Sequence, residues 1–255
     1  MKLKEWYPWY NWIKQTLGLS MEEDQKSACL LSQLIKGKAL HPKILREKIQ
    51  GKTVVIFGAG PSLEEDLWKI LETEFYNKCV LVAADGATSA LLNFGVVPQL
   101  VVTDLDGKIS DLVKAQKMGS VLVIHAHGDN MDVLRKTIPK LGKVLGTTQV
   151  KPVKRVYNFG GFTDGDRSIF LSEKFGAKKI VLAGMDFGVV VGKYSKPNFK
   201  SNFKASTFKR KKLQIAKKII EWFTTQTKTE ILNLTSSGEK IRGVKNIDYS
   251  YLVKI

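Results

Sequence analysis

Two carboxylates stand two residues apart directly after an apolar run. Asp104 and Asp106 follow residues 99–103, a run typical of a buried strand, and Gly107 permits the sharp turn that ends it. Open α/β sheets bind ligands at the carboxyl ends of their strands. Mg²⁺ prefers a few carboxylates together with substrate phosphates. The pattern therefore indicates a metal–phosphate site, and a solvated Asp-x-Asp turn without a ligand is the alternative.

Two further clusters combine glycines with the start of a helix. The first follows the first predicted strand and contains Gly58, Gly60 and Ser62. The second is larger and contains Gly160, Gly161, Thr163, Asp166 and Arg167. Glycines let the backbone approach a ligand, and the N–H groups of a starting helix can hold phosphate. We expect both clusters to bind phosphate, with a tight strand-to-helix turn or a helix cap as the alternative. Asp164 and Asp166 are each candidates for a metal contact or for the cap.

Polar side chains also follow two other predicted strands. Asp85 follows the second strand and is a candidate for a ribose contact, a contact to metal-bound water, or a helix cap. Residues 125–130 follow the fourth strand and include His127, Asp129 and Asn130. A zinc site there lacks further soft ligands. Hydrogen bonding to phosphate or to a heterocycle is the favoured interpretation, with helix capping as the alternative.

Negative and positive groups are both concentrated in this sequence. Five carboxylates at predicted strand ends would repel one another without cations: Asp85, Asp104, Asp106, Asp129 and Asp166. The chain has a formal net charge of +17, and residues 187–220 hold ten Lys or Arg and no Asp or Glu. A divalent metal and this basic segment would supply the cations. Phosphoryl-type transfer needs in-line positioning and cations on the developing charge. A solvated lysine-rich surface is the alternative.

The elements expected to position these groups alternate between strand and helix from residue 52 onward. Most predicted strands are continuous apolar runs, which indicates a sheet covered on both faces. They lie at 53–57, 79–84, 100–103, 120–125, 143–146, 156–159, 179–183 and 230–234. The predicted helices lie at 63–76, 88–94, 110–117, 131–138, 164–175 and 208–223. This order predicts an α/β fold with a doubly wound, mostly parallel sheet and helices on both faces.

The chain is expected to divide into two parts. Residues 1–50 form a small helical N-terminal segment, and residues 51–255 form an α/β catalytic domain with a basic loop at about 187–212. The aromatic-rich start is expected to pack against the main domain, with a homodimer contact or a membrane-surface anchor as alternatives. No uncharged apolar stretch approaches the ~18 residues of a membrane span. With two cysteines and no signal peptide, a cytoplasmic protein is expected.

Taken in order, six motifs resemble those of the archaeal 6-hydroxymethyl-7,8-dihydropterin diphosphokinase family, which is distantly related to thiamin pyrophosphokinases. The motifs are residues 58–62, 84–87, 103–107, 125–130, 160–167 and 184–186. The resemblance runs from about residue 52 to the C-terminus and covers little of residues 1–50. It implies Mg²⁺-dependent transfer of a diphosphoryl group from ATP to the hydroxymethyl oxygen of the pterin, with release of AMP. It also implies a place in tetrahydromethanopterin or folate-type cofactor biosynthesis.

The resemblance further implies roles for individual residues. Asp104 and Asp106 would hold Mg²⁺ on the ATP phosphates, while Asp85 and Asp129 would assist the metal shell or orient the substrate hydroxyl. The nucleotide would be bound by Gly58, Gly60, Ser62, Gly160, Gly161, Thr163, Asp166 and Arg167. The basic loop would close over ATP and exclude water through Lys193, Tyr194 or Ser195. His127 and Asn130 would contact phosphate or substrate.

Three other functions stay open at this point. The wider group to which this archaeal family belongs also contains bacterial proteins that resemble glycosyltransferases of the sialyltransferase type, which use a nucleotide sugar. A thiamin pyrophosphokinase would share the reaction type and differ only in substrate. A nucleic-acid-binding protein would use the basic segment 187–220, but this reading leaves the strand-end carboxylates without a role.

Overall fold

The computed structural model describes residues 2–252. The helices are α1 (Leu3–Leu17), α2 (Met21–Leu34), α3 (Lys43–Ile49), α4 (Leu63–Leu71), α5 (Ala87–Asn93), α6 (Ile109–Lys117), α7 (Met131–Thr137), α8 (Asp164–Lys174), α9 (Thr207–Thr224) and α10 (Tyr249–Leu252). The strands are β1 (Thr53–Phe57), β2 (Val80–Ala84), β3 (Leu100–Thr103), β4 (Val121–Ala126), β5 (Leu145–Thr148), β6 (Val156–Tyr157), β7 (Lys179–Ala183), β8 (Val190–Val191), β9 (Phe203–Lys204), β10 (Glu230–Asn233) and β11 (Lys245–Asn246).

Nine strands form one parallel sheet in the order β11-β10-β7-β1-β2-β3-β4-β5-β6. From β1 the chain adds strands in one direction as far as β6 and then returns to add β7 on the other side of β1. The sheet is therefore doubly wound, and its topological switch point lies between β1 and β7, where such sheets bind ligands. Helix α5 contacts both α4 and α6, and α8 packs on α9. The predicted fold class is confirmed.

Several elements differ in extent from the sequence prediction. The helix predicted over 63–76 ends at Leu71, and a short 3₁₀ segment at Glu74–Lys78 follows it. The strand predicted over 156–159 stops at Tyr157 because Asn158 turns the chain. Its side chain donates to the carbonyl of Val150 at 2.8 Å and accepts from the N–H of Gly160 at 2.9 Å. The basic loop predicted at about 187–212 contains the antiparallel pair β8–β9, and its last residues belong to α9, which begins at Thr207.

Helix α1 lies within residues 1–50, the segment predicted to be helical, although its aromatic residues and an internal proline are weak helix formers. Tertiary contacts compensate, since Trp6, Tyr10 and Ile13 are fully buried in the common core. The indole Nε1 of Trp6 donates to the carbonyl of Gln149 at 2.9 Å. The expectation that the aromatic start packs against the main domain is confirmed, while a domain boundary at residue 50 stays a prediction.

The helices described between residues 2 and 252 are each too short or too polar to cross a lipid bilayer.

Candidate active site

A cavity of about 620 Å³ opens at the carboxyl ends of the central strands. Its wall is formed by the loops after β1, β2, β3, β4, β5, β6 and β7, by β8 and the segment that follows it, by the turn between α1 and α2 with the start of α2, and by the first half of α9. Because β1 to β7 are parallel strands of one sheet, their following loops meet at one edge of the sheet. The cavity lies where the sequence places its chemistry-bearing clusters.

Three carboxylates in the wall of this cavity lie close together. Asp85 follows β2, Asp104 follows β3, and Asp164 is the first residue of α8. One oxygen from each lies within 4.8 Å of the other two. Asp85 is held in place by the Thr103 hydroxyl, which donates to its Oδ1. Three hard oxygen ligands that leave room for phosphate match the preference of Mg²⁺, so the donor set fits this ion.

The electrostatics of the three carboxylates also point to a cation. Burial and the nearby charge of Asp104 raise the pKa of Asp85 to about 7. Burial and the charges of Asp104 and Asp85 raise the pKa of Asp164 well above its usual value. Burial acts against ionisation of Asp104 as well, but the hydrogen bond and charge of His127 outweigh it and lower the pKa of Asp104 to about 2. His127 Nε2 lies 3.6 Å from Asp104 Oδ2. The three carboxylates repel one another, and a divalent ion would neutralise their negative charge.

Three lysines border the same cavity as these carboxylates. Lys196 pairs with Asp106, with its Nζ 2.5 Å from Oδ2. Lys209 and Lys212 lie one turn apart on α9, and both border the cavity. Burial and the charges of Lys212 and Lys196 lower the pKa of Lys209. Neighbouring positive charges repel one another, and a bound anion would offset that repulsion. The arrangement therefore suits a polyphosphate.

Comparison with known proteins decides the family. The sequence model of the family described as "6-hydroxymethylpterin diphosphokinase MptE-like" matches residues 30–192. The chain is 45% identical to the 6-hydroxymethyl-7,8-dihydropterin pyrophosphokinase of Pyrococcus furiosus, over 92% of this chain and 100% of that protein. It is 40% identical to the protein of the same name from Methanocaldococcus jannaschii, over 91% of this chain and 100% of that protein. The chain belongs to the MptE-like family.

A third MptE-like relative and a more distant structure complete the comparison. The 6-hydroxymethyl-7,8-dihydropterin pyrophosphokinase of Methanothermobacter thermautotrophicus is 41% identical over 87% of this chain and 95% of that protein. The structure of MAf glycosyltransferase from Magnetospirillum magneticum AMB-1 matches with a TM-score of 0.57 and 13% identity. That match covers 92% of this chain and 39% of the glycosyltransferase chain. At 13% identity this likeness shows that the two chains share a fold, and it carries no information about the reaction.

The structure places the MptE-like motif residues in two groups. The cavity wall contains Gly58, Gly60, Asp85, Asp104, Asp106, His127, Asp129, Thr163 and Ser195. The remaining candidates lie outside the residues that form the wall: Ser62, Asn130, Gly160, Gly161, Asp166, Arg167, Lys193 and Tyr194. The individual roles assigned to both groups stay predictions.

The glycines of the first loop serve close packing between segments. Gly58 N–H donates to the carbonyl of Ala183 at 2.8 Å, and Gly60 N–H donates to that of Gly184 at 2.9 Å. A Cβ on Gly60 would lie 1.9 Å from Asp186 Oδ2. The Ser62 hydroxyl lies 3.0 Å from the same oxygen. Both glycines border the cavity, but their N–H groups already bond the loop after β7.

The second glycine cluster holds the start of α8 in place. Asp166 accepts from the N–H groups of Phe162 and Thr163, each at 2.7 Å. Arg167 is buried, and its guanidinium donates to the carbonyls of Phe162 at 3.0 Å and Gly160 at 3.4 Å. Asp166 and Arg167 therefore stabilise the loop that aims Asp164 into the cavity, which makes them positioning residues in this geometry.

Three other candidates, Asn130, Lys193 and Tyr194, bond segments that form the cavity wall without lining the cavity themselves. Asn130 donates to the carbonyls of Asp104 at 2.9 Å and His125 at 2.8 Å, so it joins the ends of β3 and β4. Lys193 pairs with Glu64 at 2.8 Å, and the Tyr194 hydroxyl donates to the same carboxylate at 2.8 Å. These contacts pin the segment that carries Ser195 to α4.

The wall also contains Lys196, Lys209 and Lys212, which the sequence did not single out, and Asp164, which the sequence left open between a metal contact and a helix cap. Its position at the first residue of a helix after two glycines was the available signal. The lysines were recognised only as members of a basic segment, because local pattern does not show which of them turn inward. The sequence paired Asp104 with Asp106 as metal ligands, whereas the close cluster joins Asp104 to Asp85 and Asp164.

Proposed function

We propose that this protein transfers the terminal diphosphoryl group of ATP to the hydroxymethyl oxygen of 6-hydroxymethyl-7,8-dihydropterin. The observation that carries the proposal is that a close cluster of three carboxylates and three lysines border one cavity. Phosphoryl transfer asks a protein chiefly for positioning and for cations on the developing charge. The names of the three curated relatives support the same reaction and the same acceptor.

The reaction divides the work among the residues of the wall. The hydroxymethyl oxygen attacks the β-phosphorus, the bond from that phosphorus to the α–β bridging oxygen breaks, and AMP leaves. Lys196, Lys209 and Lys212 would bind phosphate oxygens and neutralise the charge that builds up on them. Mg²⁺ held by Asp85, Asp104 and Asp164 would supply further charge neutralisation on the phosphates. Asp129 stays our candidate for orienting the acceptor hydroxyl.

The proposal is tested by incubating purified protein with ATP, MgCl₂ and 6-hydroxymethyl-7,8-dihydropterin and separating the products by chromatography. Equal amounts of AMP and pterin diphosphate are expected, and chelation of the metal should stop their formation. Formation of ADP would contradict diphosphoryl transfer. Equal or better turnover of thiamin would contradict the pterin as acceptor, and AMP-free transfer from a nucleotide sugar would favour the glycosyltransferase alternative.

We also propose a cytoplasmic location, which suits an enzyme that uses ATP and a small soluble cofactor precursor. A homodimer formed through the aromatic N-terminus stays a prediction. Sedimentation of the full chain should give twice the monomer mass if it forms, and Trp12→Ala, at a partly exposed tryptophan of α1, should then lower that mass. A monomer at all concentrations would contradict it.

A further inference from the structure

Residues 190–212 contain four aromatic side chains, and three of them already have partners. The Tyr194 hydroxyl donates to a carboxylate of α4 at 2.8 Å, and the rings of Phe199 and Phe203 stack with centroids 3.8 Å apart. The fourth, Phe208, is the second residue of α9, is 52% exposed, and borders the cavity. None of the ring pairs in the described part of the chain includes it. Phe208 therefore offers an unstacked flat face at the cavity.

A second exposed apolar side chain borders the cavity from a neighbouring segment. Val190 of β8 is 40% exposed and lies in the cavity wall. Strand β8 is joined to the residues just before α9, because the N–H of Ala205 donates to the carbonyl of Val189 at 2.8 Å. Exposed apolar groups at the wall of a cavity are typical of a site that covers an apolar part of a ligand. We call the side chains of Val190 and Phe208 the apolar rim.

The apolar rim belongs to the side of the cavity at the topological switch point. That point lies between β1 and β7, and the chain continues from β7 through Phe187 into β8. The carbonyl of Phe187 accepts a hydrogen bond from the Gln214 side chain of α9 at 3.3 Å, so α9 is fixed to the same loop. Doubly wound sheets bind nucleotides in the crevice at the switch point. This position favours the nucleotide over the acceptor as the ligand of the rim.

Two cavity lysines lie next to Phe208 on the same helix. Lys209 is the following residue, and Lys212 is four residues further, which makes Lys212 and Phe208 neighbours on one face of α9. An unstacked ring thus lies directly beside the groups proposed to bind phosphate. A nucleotide has the same arrangement, with a flat base near a chain of phosphates.

We infer that Phe208 stacks on the adenine base of ATP, that Val190 covers part of the same base, and that Lys209 and Lys212 bind the phosphates next to it. A base presents a π-face on which an aromatic side chain can stack, and this contact needs no hydrogen bond. The inference rests on the proposed function, because it concerns the nucleotide of that reaction. It assigns the base to the switch-point side of the cavity.

The test uses α,β-methylene-ATP, whose α–β bridge cannot be cleaved, and inorganic tripolyphosphate, which has no base. Isothermal titration calorimetry with MgCl₂ and without the pterin measures binding of both to the full chain. Phe208→Ala should weaken binding of α,β-methylene-ATP about fivefold to a hundredfold, the loss of one base–aromatic stack, and leave that of tripolyphosphate unchanged. Phe208→Trp should restore the affinity for the nucleotide. Phe199→Ala, at a ring that is 46% exposed and lies outside the cavity wall, is the matched control.

Three results would overturn the assignment of the apolar rim. Unchanged binding of α,β-methylene-ATP in Phe208→Ala would show that the ring does not contact the nucleotide. An equal loss for the nucleotide and for tripolyphosphate would mean that the substitution disturbs the lysines of α9. Weaker binding of 6-hydroxymethylpterin alone would place the acceptor on the rim. If Phe208→Ala does not fold, Val190→Ala gives the same comparison between the nucleotide and tripolyphosphate.

Binding and turnover separate this inference from the proposed function. If α,β-methylene-ATP binds and Phe208→Ala weakens it, but ATP and the dihydropterin give no product, the rim is supported and the reaction is contradicted. If the unmodified protein does not bind the nucleotide, both proposals are contradicted. If the pterin diphosphate forms at the same KM for ATP in Phe208→Ala as in the unmodified protein, the reaction stands and the rim is overturned.

Discussion

At the residue scale, backbone strain is concentrated at the ends of the central strands. Asp85 has φ 43°, Leu105 has φ 70° and Phe187 has φ 55°, all in the left-handed region that non-glycine residues rarely adopt. Each such residue costs on the order of 1–3 kcal/mol and persists only where its surroundings hold it. The strain at Asp85 and the following Gly86–Ala87 turn bring its carboxylate next to those of Asp104 and Asp164.

Asp164→Asn should lower turnover at least about a hundredfold and raise the Mg²⁺ concentration needed for half-maximal rate, because it removes one charge from the proposed donor set. Asp106→Asn should cost less, since Asp106 pairs with Lys196 outside the close cluster. Initial rates measured against Mg²⁺ concentration test this order. Asp132→Asn, at an exposed pair with Arg135, is the control. Equal losses in the Asp164 and Asp106 variants would contradict the assignment of the cluster.

Asp85 should make stability depend on pH when no metal is bound. Its pKa in the folded chain, about 7, lies above the ordinary 3.8, so the folded state holds this proton more tightly than the unfolded state does. The resulting stabilisation is complete below about pH 4 and is lost as the pH rises to 7. The free energy of unfolding of the unmodified protein, relative to Asp85→Asn, should fall by up to about 4 kcal/mol across that range.

Urea denaturation in the presence of a chelator measures this difference between the two proteins. Asparagine tolerates the left-handed backbone of position 85, so the comparison isolates the proton. Saturating Mg²⁺ should reduce the loss of stability at pH 7. A relative stability that stays constant from pH 4 to 7 would show that Asp85 ionises normally in the folded chain.

At the element scale, one face of helix α9 packs in the core, while another face presents lysines to the cavity. Ile215, Ile219 and Phe223 are buried in the core, while Lys209 and Lys212 border the cavity one turn apart. Residues three apart lie on the same face of a helix, so the two lysines act on the same region of the site. Lys212 also lies over the ring of Phe162, with its Nζ 5.6 Å from the centroid.

Lys212→Met should raise KM for ATP about tenfold or more, because a charge-assisted hydrogen bond to phosphate is lost while the apolar stem is kept. The increase should be larger at low ionic strength, where charge attraction is less screened. Lys211→Met, at the exposed neighbouring position on the same helix, is the matched control. A similar change in both variants would mean that α9 acts through its overall charge and not through Lys212.

The loop before α8 depends on a residue without a side chain. Gly161 has φ 88°, and a Cβ there would lie 2.4 Å from Arg167 Cα. Gly161→Ala should lower the free energy of unfolding by roughly 2 kcal/mol or more through strain and backbone clash, and should reduce turnover by displacing Asp164. Gly188→Ala, where an added Cβ meets nothing within 4 Å, is the control. Calorimetry on both variants checks the prediction, and equal melting temperatures would contradict it.

At the scale of the whole molecule, the N-terminal helices are part of the wall of the site. Residues 17–20 border the cavity, and α2 packs against β4 and β5. Tyr10 of α1 bonds Asp24 of α2, which bonds Gln149 after β5. A chain of buried hydrogen bonds therefore runs from the first helix to Gln149 in the cavity wall.

Tyr10→Phe should lower the free energy of unfolding by about 1–3 kcal/mol, because it leaves the buried Asp24 carboxylate without one of its donors. Urea denaturation measures this difference in the free energy of unfolding. Tyr7→Phe, at a half-buried tyrosine on the same helix, should stay within about 0.5 kcal/mol. A loss of similar size in both variants would contradict the role of the Tyr10–Asp24 hydrogen bond.

The sequence by itself determined the sheet and the edge at which its chemistry collects. Apolar runs mark strands, and the carboxyl ends of parallel strands must meet at one edge. Asp85, Asp104, Asp106, His127 and Asp129 could therefore be placed together before any coordinates. The order of the motifs also identified the family that the comparisons confirm.

Only the tertiary structure decided which neighbours of these residues reach the cavity. Asp164 faces it while Asp166 caps the helix, and Lys196 faces it while Lys193 bonds Glu64. Residues this close in sequence are separated by the rotation of a helix or a turn about its axis. That rotation is set by contacts with segments far along the chain. The same holds for α1, whose weak helix formers are stabilised by burial against the sheet, a long-range interaction that local pattern does not contain.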